Sequence, residues 1–217
     1  MISPSIPIRK ITLSVWIVAL FLGWVIRVAI LTPILQTFNL SPDGEQLIGD
    51  MLRFIIWVLP VLLYLGLYKR QNLIKALKLV PPISGYRIVI GFTAFLVIQL
   101  ILKAQNGLVI ETNKHLIVWW FTLFLTPLLE EILFRGFLLP AFELYGSKIK
   151  ANLVQAILFM LIHFYWLVTD GFTLDVVARF ATVFVIGLIL GYVTQRSHSL
   201  LPAIWLHTLN NLVSLIN

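Results

Sequence analysis

Seven predominantly apolar stretches, each long enough to cross a bilayer, recur along this chain of 217 residues. A spanning helix needs about 20 such residues to cover some 30 Å of hydrocarbon. They run approximately over Ile11–Leu31, Leu47–Tyr68, Gly85–Leu102, Leu116–Leu139, Ile149–Val168, Leu174–Val193 and Leu200–Ile216. Backbone groups in lipid must be satisfied within their own segment, so the expected fold is an all-α transmembrane bundle of about seven spans. Composition agrees: 60% of residues are apolar and 12% charged, against about 25% charged in a soluble domain. Disordered, collagenous and coiled-coil chains are excluded on the same grounds. Zero cysteines exclude a disulfide scaffold, a thiol nucleophile and a thiolate metal site.

The net charge of +7 does not call for nucleic acid, because basic residues of membrane chains gather in cytoplasmic loops. With the N-terminus cytoplasmic, eleven of the 16 Lys and Arg fall inside, three outside, and Arg27 and Arg179 within spans. Asp43, Glu45, Asp50, Glu111, Asp170 and Asp175 all map to the outer side. The chain is therefore expected to be an integral, multi-pass membrane protein, in the plasma membrane if prokaryotic. The first span is too long for a signal-peptide core and is read as a retained helix. Residues 71–80 place Leu73, Ile74, Leu77 and Val80 on one helical face, a pattern for a short amphipathic helix on the cytoplasmic surface. Pro140, at the end of the fourth span, is expected to kink or end that helix.

Ionisable residues inside spans are costly and ask for a reason. They concentrate in the second half of the chain: Glu130, Glu131, Arg135, His163, Arg179 and His207, with Asn210 and Asn211. Neighbours on a helix point about 100° apart, so Glu130 and Glu131 face different surroundings. Glu131 and Arg135, at i and i+4, form an ion pair with the acid in the favourable N-terminal position. Glu130 is then the carboxylate left for general acid–base work. His207 and Asn211 project from one face, and an amide there can donate to a developing oxyanion. His163 sits among bulky apolar residues. A structural polar cluster would explain each piece separately. Together, a carboxylate, two histidines and an amide on three helices suit hydrolysis by an activated water. The same set also suits Zn2+, with Glu130, His163 and His207 as ligands. Gly187 and Gly191 are expected to let two helices pack closely.

The series Glu130-Glu131-x-x-x-Arg135, Phe159-x-x-x-His163 and His207-x-x-x-Asn211 resembles the motif set of the CPBP intramembrane proteases, which include type II CAAX prenyl endopeptidases and Abi-type bacteriocin-processing proteins. The resemblance covers residues 115–217, which reads as a catalytic core following N-terminal helices over 1–114. It implies that Glu130 and His163 activate water, that His207 and Asn211 stabilise the oxyanion, and that Glu131 and Arg135 support them. It implies either a metalloprotease or a metal-free glutamate mechanism. The substrate it implies is a peptide or protein, prenylated or membrane-embedded. Two rivals stand beside an endopeptidase: a catalytically silent immunity or scaffold protein of the same fold, and a proton-coupled transporter. The transporter would call for inverted repeats, and no internal repeat is seen.

Overall fold

The computed structural model describes residues 8–105 and 119–215, and the described residues contain helices, turns and no strand. Helix α1 runs through Lys10–Ile26, Arg27–Leu31 and Thr32–Gln36. Helix α2 runs through Pro42–Arg53, Phe54–Val58, Leu59–Leu62 and Leu63–Tyr68. After the single turn α3 (Leu73–Ala76) comes α4 (Tyr86–Gln105). Helix α5 passes through Phe121–Leu125, Thr126–Glu131, Ile132–Leu138 and Leu139–Glu143. Then follow α6 (Lys148–Leu161), α7 (Tyr165–Thr169), α8 (Leu174–Ser197) and α9 (Leu201–Leu215).

Prolines set the local geometry of three of these helices. Pro33, Pro60, Pro127 and Pro140 each follow a stretch wound as a π-helix, Arg27–Leu31, Phe54–Val58, Phe121–Leu125 and Ile132–Leu138 respectively. Proline brings no N–H, and its ring crowds the carbonyl four residues back, so the preceding turn opens. In each case the residue before the proline donates its N–H five residues back, as Thr126 does to Phe121. Pro140 therefore widens α5 without ending it.

Among the described residues, five apolar helical stretches are long enough to cross a membrane: Lys10–Leu35, Asp43–Tyr68, Tyr86–Gln105, Lys148–Thr169 and Leu174–Ser197. The two other expected spans correspond to α5 and α9, the helices carrying Glu130, Glu131, Arg135, His207 and Asn211. Their polar residues face neighbouring helices: Ile132–Leu138 is buried throughout. The start of the fourth expected span, with His115, lies outside the described residues.

The ends of the bundle differ in charge. Leu200 N–H donates to the Lys78 carbonyl at 2.9 Å, Ile83 N–H to the Ser197 carbonyl at 3.1 Å, and the Tyr145 hydroxyl to the Ile8 carbonyl. These bonds gather the loops bearing Lys69, Arg70, Lys75, Lys78, Arg87, Lys148 and Arg196 at one end, while Asp43, Glu45, Asp170 and Asp175 lie at the other. The amphipathic pattern over 71–80 gives only the one helical turn Leu73–Ala76. Ala76, Leu77 and Lys78 are tucked into the protein instead of lying on its surface. Burial lowers the Lys78 ammonium below its usual range, with Glu143 opposing the shift.

Helix α8 packs on α6 through the expected glycines. A Cβ on Gly187 would stand 3.2 Å from Ala156 Cβ, and one on Gly191 would collide with the Asn152 carboxamide. That close approach lets Asn152 donate to the Leu188 carbonyl at 3.0 Å and Gln155 to the Gly187 carbonyl at 2.9 Å.

Candidate active site

The deepest charged group is the pair foreseen from spacing. Arg135 Nη1 donates to Glu131 Oε1 at 2.6 Å, with both side chains fully buried. Arg135 also donates from Nη2 to the Gly187 carbonyl at 3.3 Å and lies 4.2 Å from the centre of the Phe159 ring. A buried guanidinium needs this ring of acceptors, because desolvation would otherwise outweigh the attraction within the pair.

The oxygen that receives Arg135 also faces a histidine. His207 Nδ1 lies 2.8 Å from Glu131 Oε1, which accepts from the Nδ1–H. His207 then turns Nε2 towards Glu130 Oε2, 3.8 Å away. His163 is held by the same principle, its Nδ1–H donating to the Phe159 carbonyl at 2.9 Å, which leaves Nε2 as its free nitrogen. Phe159 stands between the two imidazoles, with ring centres 5.3 Å from His163 and 5.8 Å from His207. Thus Glu131 and Phe159 each fix one imidazole by its Nδ1.

Glu130 is nearly closed off, 4% exposed, and its second neighbour comes from the first half of the chain. Arg53 Nε lies 3.8 Å from Glu130 Oε1. Arg53 is itself held by Asp50, Nη1 to Oδ1 at 2.6 Å. Asp50 also accepts from Thr126 at 2.9 Å and from Gln46 at 3.0 Å. The sequence places the intramembrane polar residues in the second half of the chain. The structure adds Asp50 and Arg53 of the first half, joining α2 to Glu130. The signal was the acid and base at i and i+3 in the second span, a spacing that puts them on one helical face.

Asn211 donates from Nδ2 to the Thr122 carbonyl at 3.1 Å, and Thr208 from Oγ1 to the Leu123 carbonyl at 2.7 Å. These are the two carbonyls that Pro127 strips of a helical donor, at four and five residues back. The kink in α5 thereby anchors α9 and leaves the second N–H of the Asn211 amide available.

His163, His207 and Asn211 line a cavity of about 640 Å3, together with Asn210, Phe159 and Arg179. Asn210 joins the wall beside Asn211. Glu130 is not among the lining residues and stands behind His207. Asp175, Trp166 and Ser214 carry the wall towards the acidic end of the bundle. Arg179 pairs with Asp170 there, 2.9 Å apart, with both side chains about half exposed.

As for a zinc site, no three His, Asp or Glu side chains among the described residues stand close enough together to hold one ion. Glu130, His163 and His207 as they stand are not a ligand set.

No curated protein and no solved structure matches the chain. A family model does match, that of the type II CAAX prenyl endopeptidase Rce1-like proteins, over residues 112–213. That segment, a little under half of the chain, holds Glu130, Glu131, Arg135, His163, His207 and Asn211, and over it the chain is similar to this family of CAAX-type intramembrane proteases.

Proposed function

We propose that this protein is an intramembrane endopeptidase in which a water beside Glu130 attacks the peptide carbonyl. The observation that carries the reading is the pair of imidazoles fixed by their Nδ1 atoms, both on the wall of one cavity, with a carboxylate 3.8 Å behind one of them. Glu130 takes a proton from the water as its oxygen bonds to the carbonyl carbon, and His163 Nε2 orients that water. The oxygen of the tetrahedral intermediate receives the free Asn211 N–H and the Nε2–H of His207 when that nitrogen is protonated. Collapse breaks the C–N bond, and Glu130 passes its proton to the leaving amine. Glu131 and Arg135 act on His207 by position alone. Every step runs through side chains of this chain.

The cavity wall reaches the acidic end of the bundle. With the basic end in the cytoplasm, as the positive-inside rule favours, substrate enters from the non-cytoplasmic side. This favours an exported or membrane-embedded peptide over a prenylated cytoplasmic tail.

Mass spectrometry tests the reading. Purified wild type and Glu130→Gln in lipid would each receive one panel of prenylated and unprenylated peptides. Cuts by wild type that vanish in the variant are expected, and their positions identify the substrate class. Equal cutting by both would remove Glu130 from its role, and no cutting by either would favour a silent member of the fold. Adding 1,10-phenanthroline is expected to leave the cuts intact. Loss of cutting restored by zinc would replace the carboxylate mechanism with a metal-based one.

A further inference from the structure

At the basic end, away from the site, a hollow of about 820 Å3 lies between the start of α4, the start of α6 and the end of α8. Its wall carries three exposed cations, Arg87, Lys148 and Arg196. Glu143, the acid near this hollow, is engaged by Gln195 Nε2 at 2.8 Å. Arg196 is oriented by its Nε–H, which donates to the Tyr192 hydroxyl at 3.1 Å. The floor is backbone: Gly85, at φ +83°, turns the chain so closely that a Cβ there would stand 3.3 Å from Ser197 N. The positive field is felt by the neighbouring His198, whose imidazole is lowered from its usual range by burial and then by Lys78 and Lys148.

A second observation is independent of charge. The hollow continues into a groove of about 590 Å3 along α4 and α8, and the two share Ile88 and Tyr192. Phe92, Phe95 and Ile189 line it, and Gly91 opens it, with nothing within 4 Å of where its Cβ would be. A free anion would use the hollow and have no need of the groove.

We propose that hollow and groove together bind one anionic phospholipid, its phosphodiester among Arg87, Lys148 and Arg196 and an acyl chain along Phe92 and Phe95. Basic pockets between membrane helices attract such headgroups, each cation contributing roughly a few-fold in affinity. The occupant is a lipid of the leaflet at the basic end, not a substrate of the cavity.

The test counts lipids retained on purified protein by native mass spectrometry, after equilibration with vesicles of equal phosphatidylglycerol and phosphatidylcholine bearing identical chains. Wild type is expected to retain phosphatidylglycerol about tenfold over phosphatidylcholine. Arg87→Gln with Arg196→Gln should bring that ratio close to one. Gly91→Trp fills the groove without touching a charge, and should abolish retained phosphatidylglycerol while inorganic phosphate binds as in wild type. Equal retention of both lipids by wild type overturns the proposal. So does a preference that survives the charge changes, or phosphatidylglycerol retained undiminished by Gly91→Trp. Should the double variant fail to fold, Gly91→Trp decides alone, since replacing glycine within a helix is not expected to unfold it.

Discussion

Thr208 donates its hydroxyl to the carbonyl of Leu123 at 2.7 Å, the acceptor that Pro127 leaves without its α-helical partner. The break in α5 is thus what α9 grips, and Asn211 grips the carbonyl beside it. Pro127→Ala would return a backbone N–H that competes for both carbonyls. The expected result is a fall in kcat of about tenfold, equivalent to some 1.4 kcal/mol, with an unfolding temperature equal to or above that of wild type. Unchanged kcat would separate Asn211 from oxyanion stabilisation.

Helix α1 reaches the site from the other side. The Trp24 indole N–H donates to the Ile162 carbonyl at 2.6 Å, one residue before His163. Trp24 is 1% exposed, and its ring also packs on Trp57 at 4.3 Å between centres. Trp24→Phe keeps an aromatic ring and leaves the carbonyl unpaired, at a cost of about 1–3 kcal/mol. Thermal unfolding should show that loss. Peptide cleavage should slow several-fold as the His163 turn loosens, and Trp24→Ala should cost more by adding a cavity.

The two adjacent glutamates should respond oppositely. Glu130→Gln removes the proposed base but no close ion pair, the side-chain nitrogens of Arg53 and His207 being 3.8 Å away. Glu131→Gln strips a fully buried arginine of its 2.6 Å partner. Breaking such a pair costs about 3–5 kcal/mol. Thermal unfolding and turnover measured together should find Glu130→Gln stable and inactive, and Glu131→Gln clearly destabilised. Equal stabilities would mean that Glu131 does not hold the fold.

Orientation can be read directly because the chain has no cysteine of its own. Lys75→Cys lies at the basic end and Phe172→Cys at the acidic end, both at exposed positions. A membrane-impermeant maleimide added to intact cells should label Phe172→Cys and spare Lys75→Cys. The reverse pattern would turn the cavity towards the cytoplasm and restore a prenylated tail as the favoured substrate.

What could be read in advance was local. The pairing of Glu131 with Arg135 and the glycine contact of α8 follow from helical spacing, because residues four apart share a face. The membrane class followed from the apolar runs. Contacts between helices had no such rule behind them. Arg53 meets Glu130 across 77 residues, and Trp24 meets Ile162 across 138. Neither pairing leaves a periodic trace in the sequence. The two expected spans that are not among the five long apolar stretches, α5 and α9, carry the polar residues of the site, and Ile132–Leu138 of α5 is buried throughout. Counting spans by hydropathy treats a helix in contact with protein as though it met lipid.

The approach of Arg53 to Glu130 bears on how far the family segment can be treated as a module. Residues 112–213 contain every motif position, yet one of the two side-chain nitrogens that approach the proposed base is supplied by α2, outside that segment. A chimaera that grafted this segment onto unrelated leading helices would inherit the motifs and lose that neighbour along with Asp50, which holds it. Drift in the leading helices could then retune the chemistry while every signature residue stayed in place.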